Sequence, residues 1–362
     1  MSLVEISYDD LLNKDNSKNI IDAFGENGLG AVLITNIPEF KEKKMKLLRL
    51  SKVFGELPEI IQKVYESPET FYAFGWSKGK EKMKGGKPDI AKGSYYANPI
   101  YDEPTKDKEL IKKYPANYSK NIWPSKHVPT MESHFKFVGN IMYNVGLKVL
   151  ESCDQYLDTQ IDEYPQNYLY NIIKNSKTYK ARLLHYYELP EEKNSEEDAS
   201  CSWHLDHGGL TILTKATYLD EEYDEVKEPD NCGLCIKDQN GNIYHCVIPE
   251  NALLCQVGEM LQILSGGFLQ ATPHCVKSAK LKGITRETFP VFIDCPVDQD
   301  ISLPKWSKEN ADETKGMNGL VGVPELKDRY KDCKQYYEFV HKTYSAYYRH
   351  VGKSAQEKLL TF

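Results

Sequence analysis

The sequence predicts an α+β chain: a β sandwich or jelly roll formed by the second half and braced by helices from the first. Three observations predict it. Apolar residues recur at helical spacing as far as Val149; from Lys180 they come in short runs; and turn-forming residues separate those runs.

Ile20 to Phe24 and Met45 to Phe54 carry apolar residues three and four apart, flanking a strand-like run, Gly30 to Thr35. Pro129 precedes Met131, Phe135, Val138, Met142, Val145 and Val149, one apolar stripe on a helix of about five to six turns. Ala181 to Tyr187 reads as a strand ending before Pro190. The polar stretches Glu191 to Ser200 and Leu219 to Asn231 read as surface loops. Gly233 to Lys237 and Asn242 to Val247 are short strands joined across Gln239-Asn240-Gly241, where Asn-Gly supplies the positive φ of a tight hairpin turn. Ala252 to Val257, Gln270 to Val276 and Thr285 to Asp294 complete the series. The expected organisation is one domain over 1–362: a mainly helical part at 1–150, the β core at 180–296, and a C-terminal extension with a helix at 297–362.

Composition excludes several classes. The 362 residues are 40% hydrophobic and 27% charged, ordinary for a soluble globular protein. A formal net charge of −7 disfavours nucleic acid and anionic membrane surfaces as partners. No apolar run approaches the roughly 20 residues of a bilayer span, and Met1 to Lys14 lacks the basic start and apolar block of a signal peptide. Nine scattered cysteines argue against a disulfide framework and for a reducing, cytoplasmic compartment. Cys232 and Cys235 form the sole CxxC and read as packing residues, since a structural zinc needs four converging ligands.

Trp203-His204-Leu205-Asp206 carries the chemistry. On a strand, His204 and Asp206 point to one face and can grip one ion. A third ligand must come from elsewhere, and His274 lies near the centre of another predicted strand. Two imidazoles and one carboxylate on one face of an octahedral ion leave three positions open, the facial triad of non-haem Fe(II) oxygenases. His207, at an odd offset from His204, points to the opposite face. Arg286 and Thr288 share a face of the last predicted strand, where a guanidinium beside a hydroxyl suits the distal carboxylate of a dicarboxylate ligand.

The chain resembles the isopenicillin N synthase-like family of 2-oxoglutarate/Fe(II)-dependent dioxygenases. Trp203 to Leu213 resembles the family's first metal motif, and Val257 to Val276 the segment with its second histidine. Arg286-Glu287-Thr288 stands where the family has Arg-x-Ser. Arg182 to Tyr187 resembles the strand whose tyrosine helps to hold 2-oxoglutarate, with Tyr186 the closer match. Asn121 to Pro124 and Gly28 to Pro38 fit the middle and N-terminal segments. Cys275 and Gly266 depart from the family pattern, as does Tyr187-Glu188, where proline is usual.

The resemblance implies a double-stranded β-helix (jelly roll) core and a dioxygenase with Fe(II) at His204, Asp206 and His274. It implies 2-oxoglutarate as co-substrate, held by Arg286, Thr288 and Tyr186. It further implies O2 and a small organic molecule as substrates, hydroxylation of the latter, and succinate and CO2 as co-products. An oxidase of the same fold that does not consume 2-oxoglutarate, and a catalytically silent binding protein on this scaffold, are the alternatives. Tyr72, Phe74, Trp76, Tyr95 and Tyr96 are expected near the substrate pocket. The lysines from Lys78 to Lys92 are expected on a solvated rim.

Overall fold

The computed structural model describes residues 2–80, 89–188, 199–230, 232–277, 282–317, 320 and 323–347. Fifteen strands form among them: β1 (Val4–Ser7), β2 (Ala31–Thr35), β3 (Gly75–Lys78), β4 (Lys92–Ala97), β5 (Lys180–Tyr186), β6 (Ala199–His204), β7 (Leu210–Thr214), β8 (Thr217–Leu219), β9 (Glu225–Val226), β10 (Gly233–Lys237), β11 (Ile243–His245), β12 (Leu253–Val257), β13 (His274–Lys277), β14 (Thr285–Thr288) and β15 (Val291–Ile293). They make two facing sheets of a jelly roll. The larger has eleven strands along the path β1-β2-β12-β7-β15-β5-β14-β8-β9, with the β3–β4 hairpin added through β5. The smaller runs β11-β10-β13-β6.

The helices lie against the outer face of the larger sheet. Met131, Phe135, Val138, Met142, Val145 and Val149 are all buried, so the predicted stripe is the core-facing one. Their helix runs Met131–Gln160 and packs on the helix Phe40–Gly55 and on β7, β12 and β15. It is longer than expected because the apolar positions continue through Cys153, Tyr156 and Leu157. Among the described residues, no helix is long and apolar enough to cross a membrane.

Several expectations need correction. The first 150 residues hold more strands than the one expected at Gly30 to Thr35: besides β2, which pairs with β12, β1, β3 and β4 join the larger sheet, β4 through β5. The expected strand Gln270 to Val276 begins only at His274, because Pro273 has no N–H to give the ladder. Thr285 to Asp294 splits at Phe289-Pro290 into β14, which pairs with β5 and β8, and β15, which pairs with β5 and β7. The polar stretch after Leu219 contains β9. Of the loop expected at Glu191 to Ser200, residues 191–198 lie outside the described residues, and Ala199 and Ser200 open β6. The β10–β11 connection is longer than a two-residue turn. Gly241 has the expected positive φ (+87°), but the loop is organised by the Asp238 carboxylate, which accepts from the backbone N–H of Asn240 and Asn242 at 2.8 Å each.

Candidate metal centre

β6 and β13 are neighbours in the smaller sheet, and their register sets His204 directly opposite His274. Asp206 lies two residues past the end of β6, so the predicted strand alternation is not what turns it inward. The turn after it does that. Thr211 donates to Asp206 Oδ2 at 2.6 Å, and the Glu259 N–H donates to the Asp206 carbonyl at 2.8 Å. Two glycines permit this close approach. A Cβ on Gly208 would fall 1.9 Å from Asp294 Oδ1, and one on Gly258 would fall 2.2 Å from the Gly208 carbonyl.

His204, Asp206 and His274 each direct one ligating atom into a space where all three lie within 4.8 Å of one another. Both imidazoles present Nε2 to the carboxylate, His204 at 3.7 Å from Oδ1 and His274 at 3.8 Å from Oδ2. The rings sit 4.2 Å apart between centroids. Their Nδ1 atoms turn back towards the protein: His204 Nδ1 is 2.8 Å from the Ser202 carbonyl, and His274 Nδ1 is 2.8 Å from Gln256 Nε2. The two imidazoles titrate in opposite directions. Burial opposes charge on His204, but the Cys201 thiolate and the Asp206 carboxylate outweigh it and push it up to about 10. Burial and the charge on His204 push His274 down to about 4. A carboxylate shared by two imidazoles, one of them buried, is a donor set that favours a bound cation.

The cavity beside the triad contains about 870 Å3 of empty space, part of it open to solvent. Leu184, Leu213, Leu234, Ile248, Val276 and Phe292 form its apolar walls, and Tyr186, Arg286 and Thr288 its polar end. Arg286 faces Tyr186 and Thr288 faces Leu184 across the β14–β5 ladder, as their shared face required. The Arg286 guanidinium stacks 5.0 Å from the Tyr186 ring. Its Nε and Nη1 are shielded from solvent and have no hydrogen-bond partner. A buried cation with two unmet donors, in the same cavity as the triad, fits one carboxylate gripped bidentately.

His207 stays outside the cluster: its ring packs 5.3 Å from Tyr344, and burial pushes it down to about 4. Cys232 donates to the Pro229 carbonyl at 2.7 Å and accepts from Tyr218, while Cys235 faces Cys275 across β10 and β13; both are buried packing residues.

The five pocket aromatics are a correction, since none of them lines the cavity. Alternation along the β3–β4 hairpin turns Trp76 and Tyr95 into the core against Phe54, and Phe74 is fully buried beneath Lys180. Tyr96 lies on the other face, 5.2 Å from the Arg182 guanidinium, and Tyr72 packs under Lys80. Of the lysines, Lys78 caps the Tyr187 ring at 3.6 Å, Lys80 pairs with Glu66 and Lys92 with Asp89. Lys82, Lys84 and Lys87 lie outside the described residues.

Among the contacts that escaped the sequence reading are Arg182 and Cys201, which line the wall, and Thr211 and Gln256, which touch the triad. For the last two a signal existed. Gln256 is the lone polar residue of the apolar strand Leu253–Val257, and Thr211 is one of two threonines in Leu210–Thr214; a buried polar side chain needs a partner.

The 2OG-Fe(II) oxygenase superfamily profile matches residues 179–294, which run from just before β5 to just past β15. Homoarginine-6-hydroxylase from Oryza sativa subsp. japonica is 26% identical over 238 residues, 64% of this chain and 64% of that protein. The match thus spans under two thirds of that relative. A flavonol synthase/flavanone 3-hydroxylase from Eustoma exaltatum subsp. russellianum is 23% identical over 312 residues, 85% of this chain and 81% of its own. Among solved structures, a 2OG-Fe(II) oxygenase family protein from Caulobacter crescentus superposes with a TM-score of 0.68. It is 18% identical, with 97% of this chain and 99% of that one covered. A Neurospora crassa protein in complex with alpha-KG superposes at 0.64 with 19% identity, covering 94% and 96%.

Proposed function

We propose that the chain, whose residues 179–294 match the 2OG-Fe(II) oxygenase superfamily, is an Fe(II)- and 2-oxoglutarate-dependent dioxygenase of the isopenicillin N synthase-like type, hydroxylating a small organic molecule. A bound Fe(II) would supply the redox chemistry that couples decarboxylation of 2-oxoglutarate, giving succinate and CO2, to oxidation of the substrate by O2. His204, Asp206 and His274 would hold the metal beside the cavity that they line. Arg286 grips the distal carboxylate of 2-oxoglutarate, with the Thr288 hydroxyl and Tyr186 beside it. Thr211 keeps Asp206 turned towards the metal, and its donated proton leaves Oδ1 the freer oxygen for ligation. The apolar walls admit an organic substrate.

One observation carries this reading: Arg286, two of whose N–H groups are unmet, lines the cavity that holds the triad. A site that does not use a dicarboxylate would leave that buried cation without purpose. The chain is read as one domain, because a single apolar core joins the helices, the larger sheet and the C-terminal helices. Its nine unpaired cysteines support a cytoplasmic setting.

The test is succinate release from 2-oxoglutarate by the Fe(II)-loaded protein, across a panel of small-molecule substrates. Succinate formed in step with substrate loss supports the reading. Substrate oxidation with no succinate moves the assignment to an oxidase of the same fold. No oxidation of any kind, with metal bound, moves it to a silent binding protein.

A further inference from the structure

Gln256 sits at the centre of the larger sheet, fully buried on β12, between Ala31 of β2 and Thr211 of β7 in the register. Its cross-strand partner Thr211 donates to Asp206, and Gln256 itself reaches His274 Nδ1 at 2.8 Å. Two side chains directly opposite one another on adjacent strands thus each touch a different member of the triad. Resting on the reading of His274 as a ligand, we propose that Gln256 is a positioning residue that fixes the His274 ring and its proton by accepting a hydrogen bond from Nδ1.

The argument starts from the imidazole. A neutral histidine that offers Nε2 to a cation carries its proton on Nδ1, and that N–H requires an acceptor. At His204 the carbonyl two residues earlier, Ser202, serves at 2.8 Å. The equivalent carbonyl for His274, that of Thr272, lies farther off at 3.3 Å. The nearer group is the Gln256 amide. Its Nε2 faces the ring, while its Oε1 is buried and has no partner. Half a turn about the terminal amide bond exchanges the two atoms and brings the unused acceptor to Nδ1. With Nε2 facing the ring, Nδ1 must be bare and Nε2 of His274 must carry the proton, which blocks ligation. The orientation of this amide and the availability of His274 to a metal are therefore one and the same choice.

The experiment measures Zn(II) and Co(II) affinity by competition with a chelating dye, in wild type, Gln256→Leu, Gln256→Glu and His274→Ala. Gln256→Leu removes the acceptor and should weaken metal binding roughly 10- to 100-fold. Gln256→Glu keeps an acceptor and no donor, so it should bind within about threefold of wild type. A merely structural role would not be rescued in this way, since Glu adds a buried charge. Affinity of Gln256→Leu within twofold of wild type overturns the proposal, as does Gln256→Glu binding no better than Gln256→Leu. If Gln256→Leu does not fold, wild type decides through nitrogen-15 NMR of the Zn(II)-loaded protein. A slowly exchanging His274 Nδ1 proton, coupled through space to the Gln256 side chain, supports it, and an unprotonated Nδ1 overturns it. Failure of the ligand assignment looks different: wild type binds no metal, or His274→Ala binds as tightly as wild type.

Discussion

Replacing Arg286 by methionine separates binding of 2-oxoglutarate from binding of the metal. The guanidinium has two unmet N–H donors, Nε and Nη1, both hidden from solvent. A hydrogen bond to a charged group contributes about 1.5–3 kcal/mol, and truncating one partner of a buried charged pair costs about 2–5 kcal/mol. At about 1.4 kcal/mol per tenfold, 2-oxoglutarate should bind roughly thirtyfold to a few thousandfold more weakly. The triad lies on other strands and is held by Thr211, Gln256 and backbone carbonyls, so Zn(II) affinity should change less than threefold. Titration calorimetry of 2-oxoglutarate into the Zn(II)-loaded protein reads the first number, and dye competition the second. The unliganded variant carries a further signature. Because two donors of Arg286 go unmet without a ligand, Arg286→Met should leave the unfolding midpoint of the unliganded protein unchanged or higher. Unaltered 2-oxoglutarate affinity combined with a destabilised unliganded protein would refute the reasoning and make Arg286 a structural residue.

Alanine at His204 or at His274 should abolish stoichiometric iron while circular dichroism stays native; normal iron content in both variants refutes the triad. Thr211→Val keeps the volume but removes the bond to Asp206, and should lower metal affinity about tenfold by the same dye assay. Arg329→Met breaks a pair with Glu259 in which both side chains are buried, and should destabilise the fold by about 3–5 kcal/mol in urea unfolding. Lys180 donates to the carbonyls of Ala73 and Ala116, and burial pulls its amine down to about 7. Between pH 7 and 10.5 the unfolded chain therefore binds more protons at this site, so stability should rise with pH there. Lys180→Met should flatten that rise when urea midpoints at pH 7 and 9.5 are compared, and an identical slope in both proteins would contradict it.

The parts of the site that depend on residue chemistry were legible in the sequence; those that depend on register were not. His204, Asp206 and His274 could be named because few side chains bind metals and their spacing was suggestive. Yet the stated reason, strand alternation, does not hold, since β6 ends at His204 and a glycine turn places Asp206. Arg286 and Thr288 were read correctly as sharing a face, because two-residue periodicity within one strand is local. Thr211 and Gln256 could be marked as buried polar residues but not given partners, since Thr211 reaches Asp206 across a glycine turn and the partner of Gln256 lies on another strand. The aromatics from Tyr72 to Tyr96 failed for the same reason: which face of the β3–β4 hairpin meets the core is decided by its docking on β5. The helical stripe from Met131 was secure, since burial of one face is fixed by the helix's own periodicity.

The Glu259–Arg329 pair has a bearing on how the protein is made. Glu259 starts the short helix whose first N–H holds the Asp206 carbonyl, and its carboxylate is satisfied by a guanidinium 70 residues later. A ribosome has therefore produced every metal ligand well before it delivers the cation that neutralises the carboxylate beside them. At about 5–20 residues per second that interval lasts several seconds, longer still once the exit tunnel is crossed. The folded setting of the Glu259 carboxylate is therefore complete only once the helix Leu326–Tyr330 has joined the fold.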